Sequence, residues 1–137
     1  MAVFEPATVI EYGDDQDPKQ VVFDAILPLI EGLHLYRNEV LVVTAPNRVK
    51  TKSGLIMPEM YKKEQRFQGK IGLVVAMGEI AFDDKNVWPN EDTRPKIGTW
   101  VFFRPADTNE CAIGGYSCRF VDDDKIRGSC SNVDSIR

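Results

Sequence analysis

The sequence predicts a mainly β domain, a small barrel with one protruding loop, preceded by an N-terminal arm and a helix. Three observations carry that prediction. Glu39-Val40-Leu41-Val42-Val43-Thr44 and Gly69-Lys70-Ile71-Gly72-Leu73-Val74-Val75-Ala76-Met77-Gly78 are rich in β-branched residues, as strands are. The polar stretch between them keeps neither a strand nor a helix period for long. Asp17-Pro18-Lys19-Gln20 supplies a helix start: an N-cap, a proline at the first helical position and a Gln where a capping box wants one. At 137 residues and 43% apolar content the chain can bury one sizeable core. Residues 1–33 are read as arm and amphipathic helix, and residues 34–137 as the barrel, whose strands should survive removal of that head.

Taken in order, Met1 to Tyr12 holds two small apolar clusters, Val3-Phe4 and Val9-Ile10, separated by Glu5-Pro6, and Gly13 to Gln16 form a polar linker. In the helix that follows, Val22, Ile26 and Leu29 lie on one stripe and Phe23, Leu27 and Ile30 on the adjacent one. So broad a face either covers the barrel's own core or docks on a neighbour through Val22, Phe23, Ile26, Leu27 and Ile30. Pro28 should kink or shorten the helix end, and Gly32 is a plausible C-cap. Strands are expected over Leu35–Thr44, Ile71–Met77 and Trp100–Phe103. Between the last two, Asp83-Asp84, Trp88-Pro89 and Asn90-Glu91-Asp92 favour turns. Phe82 and Trp88 either pack there or stand at a partner surface, and packing is favoured because large aromatics are mostly buried. Asp122-Asp123-Asp124 suits a hairpin better than a metal site, since three adjacent carboxylates on extended backbone cannot all point at one cation.

Charge is unevenly placed within the formal net of −4. Residues 1–33 carry seven acids against Lys19 alone, whereas residues 48–70 carry seven bases against Glu59 and Glu64. The net negative charge argues against a nucleic-acid partner for the basic middle. Cys111, Cys118 and Cys130 form no C-x-x-C pair, and His34 is the only histidine, so no zinc site is assembled. If Gly114-Gly115 turn a tight hairpin, Cys111 falls opposite Cys118 at a hydrogen-bonded position, where a disulfide is possible but not favoured. The odd count and the lack of a secretory signal fit a reducing cytoplasm. Apolar runs fall far short of a membrane helix. No phosphate loop, nucleophile elbow or histidine-based catalytic group can be built; a carboxylate-pair hydrolase stays open, but the acids sit mainly in turn contexts where solvation explains them, so no enzyme is expected.

Within the polar middle, Thr51-Lys52-Ser53-Gly54-Leu55-Ile56-Met57-Pro58-Glu59 sets three aliphatics in a basic segment. The triplet reads either as an edge strand or hairpin tip, or as a binding loop projected from the two flanking strands. The order of strand, polar loop with Gly and three aliphatics, then Gly-rich valine strand resembles the GroES-type co-chaperonins. The resemblance continues through Lys96-Ile97-Gly98-Thr99-Trp100-Val101-Phe102-Phe103 and from Val121-Asp122-Asp123-Asp124-Lys125 to Val133-Asp134-Ser135-Ile136. It implies a GroES-like β barrel with a roof hairpin near Glu79–Pro95. It further implies docking of Gly54, Leu55, Ile56, Met57 and Pro58 on an ATP-dependent chaperonin ring, a ring-like homo-oligomer in the cytoplasm, and no cofactor, since ATP belongs to the chaperonin. Two departures stand out: residues 1–33 precede the family's first strand, and the family's C-terminal strand has no counterpart after Ile136-Arg137. The head is expected to stand in for that strand or to serve another assembly. Such departures resemble GroES-like proteins of tailed bacteriophages, which gives an alternative, a capsid decoration protein of the virion bound to a major capsid protein. Arg104 to Cys118 is longer than the family's equivalent and has no functional reading.

Overall fold

Strand β2 (Glu39–Thr44) explains the architecture, because its four consecutive valine and leucine side chains have to be covered on both faces. The computed structural model describes residues 7–48 and 70–133. In it β2 lies at the centre of a six-stranded antiparallel sheet, flanked by β4 (Ile71–Met77) and by β7 (Tyr116–Asp122). Outside β4 come β5 (Trp100–Phe102) and β8 (Gly128–Cys130), and outside β7 comes β6 (Thr108–Ile113). Among the described residues no ladder joins the outermost strands β6 and β8. The mainly β fold expected from the sequence is therefore present as this sheet with a cover on each side.

One face buries Leu41, Val43, Ile71, Leu73, Trp100 and Cys118, and the other buries Val40, Val42, Val74, Val101, Phe103 and Val121. Burial on both faces is why the strands read as continuous apolar runs rather than alternating ones. The first face is covered by helix α1 (Pro18–Ile26), which inserts Val22 and Ile26, both at 0% exposure. Asp17 caps α1 by accepting the Lys19 N–H at 3.0 Å. Gln20 does not complete a capping box; its amide donates forward to Asp24 at 2.8 Å. The helix ends at Ile26, two residues before Pro28, and continues as a short 3-10 turn, Leu27–Leu29. Gly32 lies past that turn and does not cap α1, whose last cap is the Leu27 N–H on the Phe23 carbonyl.

The arm packs on the same sheet. Thr8 bridges Tyr116, donating to the Gly115 carbonyl at 2.7 Å and accepting from the Ser117 N–H at 2.8 Å. Further on, β1 (Glu11–Tyr12) pairs in parallel with β3 (Asn47–Arg48), and Ile10 and Tyr12 are buried. Because Ile10, Val22 and Ile26 share one cluster with Leu41 and Trp100, the head and the sheet have a common core.

The second face is covered without regular structure. Residues 78–95 carry no strand, so the roof hairpin implied by the resemblance is replaced by turns and a 3-10 segment, Glu91–Thr93, capped by Asn90. Pro89 and Pro95 lack the N–H that a ladder needs, and Asn90 diverts the backbone into a turn. Phe82 packs edge-on against Trp88, ring centres 5.0 Å apart, and Arg94 donates twice to the Trp88 carbonyl, at 3.0 and 2.8 Å. Packing of these aromatics is what the sequence favoured.

The acidic turn also departs from expectation. After β7 the chain makes a 3-10 turn, Asp123–Lys125, and crosses to the far side of the sheet, where β8 pairs with β5 rather than with β7. Asp123 explains why no hairpin forms. Its carboxylate is buried and accepts the Phe82 N–H at 2.7 Å and the Asn38 amide at 2.9 Å, tying the turn to the second cover. The hairpin that does form joins β6 to β7 through Gly114 and Gly115, at φ +58° and +87°. Two left-handed central residues are what a two-residue type I′ turn requires. This hairpin is the fold of the Arg104–Cys118 segment, and it sets Cys111 opposite Cys118 as expected. All three cysteines are free, and burial pushes the Cys118 thiol up to about 12, so it carries almost no thiolate at neutral pH.

Candidate docking site

Gly54, Leu55, Ile56, Met57 and Pro58, the partner-binding residues singled out from the sequence, lie outside the described residues. The frame from which their segment departs and to which it returns is described. β2 runs on through Ala45 and Pro46 into β3, ending at Arg48, and Lys70 leads into β4. The Ala45 N–H donates to the Ile71 carbonyl and the Phe103 N–H to the Lys70 carbonyl, each at 3.0 Å, so the returning strand is fixed on both sides. The departing strand is fixed by the arm. Asn47 N–H donates to the Ile10 carbonyl at 2.8 Å, and Arg48 Nε reaches Asp14 Oδ1 at 2.8 Å. The Asp14 side chain is only 11% exposed, which screens this ion pair less than a surface pair. Asp14 reads from the sequence as linker, and its role as a loop-base partner was missed. The acidic head facing a basic middle was the available signal.

The five helix residues separate into different settings. Val22 and Ile26 point into the chain's own core, which corrects their placement in an assembly surface: the inner stripe of a nine-residue helix on this sheet has no solvent side. Phe23 and Ile30 are half-buried against the same cluster. Leu27 is exposed, beside Leu29 and Leu33, because the 3-10 turn after Ile26 swings them off the core.

At the opposite end of β2 from the loop, two carboxylates face each other. Glu39 and Asp122 are register partners across β2 and β7. Burial first, then the neighbouring Asp122 carboxylate, pushes the Glu39 carboxyl above the usual range. Beside them a groove of about 780 Å³ is lined by Glu39 and Glu79, by His34 and Arg37, and by Leu35, Tyr36, Ile80 and Phe120. Gly78 lets the chain turn there; a Cβ at this position would overlap the Arg37 carbonyl. No local pattern marks this groove, since its residues come from three separate segments. Among the described residues no three His, Cys, Asp or Glu side chains are grouped to hold a metal ion, and no helix is long and apolar enough to cross a membrane.

Residues 33–130 match the family model described as the Chaperonin 10 Kd subunit. The match takes in β2 through β8, the second cover and the 49–69 segment, and leaves out the arm and α1. No curated protein matches the chain.

Proposed function

The chain belongs to the chaperonin 10 Kd subunit family, whose members act in general as oligomeric co-chaperonins of a chaperonin, and on that premise we propose how this chain does so. It docks on an ATP-dependent chaperonin ring through Leu55, Ile56 and Met57, bounded by Gly54 and Pro58, in the cytoplasm. Several copies of the loop are displayed by a ring-like homo-oligomer, and ATP is bound by the chaperonin alone. The carrying observation is the family match across a segment whose two ends are hydrogen-bonded to a rigid sheet.

Burying three aliphatic side chains contributes about 5 to 9 kcal/mol. Ordering a loop of about eight residues costs on the order of 8 to 16 kcal/mol. A single loop is therefore weak, and two devices offset the deficit. The clamped base leaves less chain to order. Multiple loops on one ring make later contacts intramolecular, which raises avidity by about 10² to 10⁴.

The experiment pairs Ile56→Asp with measurements of chaperonin binding and thermal melting. Binding should be abolished, because an unpaired charge enters an apolar dock, while the cooperative melt stays unchanged. A variant that loses its melt would show Ile56 to be core rather than loop. Capsid decoration is the alternative. No feature of the fold favours it, and a full-length chain that ignores chaperonin but saturates purified capsids would establish it instead.

A further inference from the structure

We propose that the arm, residues 8–14, is a strap in cis on the base of the 49–69 segment, and that Asp14 is the positioning residue through which it sets how tightly that segment docks. The strap presupposes the docking proposed above, and it lies wholly outside the family match, which begins at residue 33.

The strap is anchored before it reaches the loop base. Thr8 is fixed to the β6–β7 hairpin by two backbone hydrogen bonds, and Ile10 and Tyr12 are buried. β1 then lies beside β3, and the chain turns at once. Gly13 N–H donates to Gln16 Oε1 at 2.8 Å, and Gln16 N–H donates to the Gly13 carbonyl at 3.1 Å. This closed turn holds the Asp14 carboxylate, 11% exposed, on Arg48 Nε at 2.8 Å. Asp15, the next residue, is exposed and enters no ion pair among the described residues. Of two adjacent acids in one turn, only Asp14 is committed to the loop base.

The loop base in turn depends on the arm. β3 pairs with β1 and with no other strand among the described residues, and the Asn47 N–H is satisfied by the Ile10 carbonyl. With the strap lifted, the last described tie of the departing strand is the Ala45 N–H on the Ile71 carbonyl. Residues 46–48 then join the stretch that docking has to order. Each residue ordered carries an entropic cost, and a base already held before contact avoids it. A two-residue ladder and one ion pair can open locally while the sheet stays closed. Docking strength can therefore change without a change of fold.

The test compares Asp14→Ala with Asp15→Ala, which removes the same charge from the neighbouring exposed side chain. Thermal melting, hydrogen exchange at the Asn47 amide and binding of the full chain to an ATP-loaded chaperonin ring are read on each. Asp14→Ala should speed Asn47 exchange and weaken binding, each by about tenfold or more, while the melt and the amides of β2 and β4 stay as in wild type. Asp15→Ala should change neither. Gln16→Ala, which opens the turn behind Asp14 and leaves the ion-pairing groups in place, should move exchange and binding in the same direction as Asp14→Ala. Equal weakening by Asp14→Ala and Asp15→Ala would reduce the effect to general attraction and overturn the strap. So would wild-type exchange at Asn47 in Asp14→Ala, or faster exchange there with wild-type binding. Ile56→Asp separates these outcomes from a failure of docking itself: wild-type binding by that variant would show that the 49–69 segment is not the dock, and the strap's role would fall with it.

Discussion

The two faces of the central sheet are covered by opposite means. On one face a capped helix inserts Val22 and Ile26 and a docked arm adds Ile10, while on the other the cover is turns and a 3-10 segment around Phe82. The helical cover lies outside the family match and the irregular one inside it. The helix depends on apolar burial from one regular element. The irregular cover depends on a buried carboxylate, Asp123, that reaches across from the end of β7 to the Phe82 amide. Burial by a stripe is distributed over several residues and hard to lose at one bond, whereas a single buried acceptor concentrates the restraint at one position.

The largest effect that can break this comparison is Ile26→Asp. It places a charge with no partner at a site of 0% exposure. Such a change should cost about 4 kcal/mol or more, a large fraction of a stability of about 5 to 15. Chemical denaturation should show a lost or strongly shifted cooperative transition. A variant that unfolds at the wild-type midpoint would mean that α1 is detachable, as the sequence suggested when it set residues 1–33 apart. Next in size is Asp123→Ala, which leaves the buried Phe82 N–H without its acceptor and should cost about 1 to 3 kcal/mol. Hydrogen exchange should accelerate at the Phe82 amide well before the sheet exchanges, and Asp123→Asn, which keeps an oxygen there, should restore much of the protection. If the whole sheet loosened together, the irregular cover would be as integral as the helical one.

The contrast also separates what a sequence discloses from what it withholds. Asp17-Pro18 and the valine runs of β2 and β4 follow local periods and stand where the pattern put them, although β2 begins at Glu39 rather than Leu35; of the two stripes of α1, Val22 and Ile26 are buried, while Leu27 and Leu29 fall in the turn after the helix and are exposed. Gly114-Gly115 likewise announces its own turn, and with it the Cys111 and Cys118 register. The second cover obeys no period. Its geometry is set by Asp123 and Phe82, 41 positions apart, so the acidic triplet looked like a hairpin tip and the Phe82 region like a roof hairpin. For the site, the apolar triplet was conspicuous as sequence, but its clamp by Ile10 and Asp14 joins residues more than 30 positions apart. Nothing local marks Asp14 as a partner of Arg48.

The smallest predicted effect tests whether the far end of β2 carries stored repulsion. Glu39 holds its proton to higher pH in the folded state than in the unfolded chain, because burial and Asp122 both disfavour its charge. The native state therefore binds more protons between the ordinary carboxylate pKa and the raised one, and folding is favoured as pH falls through that window. Above the raised pKa the repulsion is fully present; below the ordinary value both states are protonated and the pair contributes nothing. Glu39→Gln should accordingly raise Tm at about pH 7 by a small amount, and the gain over wild type should vanish near pH 3.5. Comparing the two chains at each pH cancels the carboxylates they share. Equal melting at neutral pH would show that Glu39 and Asp122 turn away from each other in solution. A gain that persisted undiminished in acid would trace to better packing of the amide rather than to relief of charge. Only a gain confined to the higher pH identifies a pair of carboxylates held together against their own repulsion.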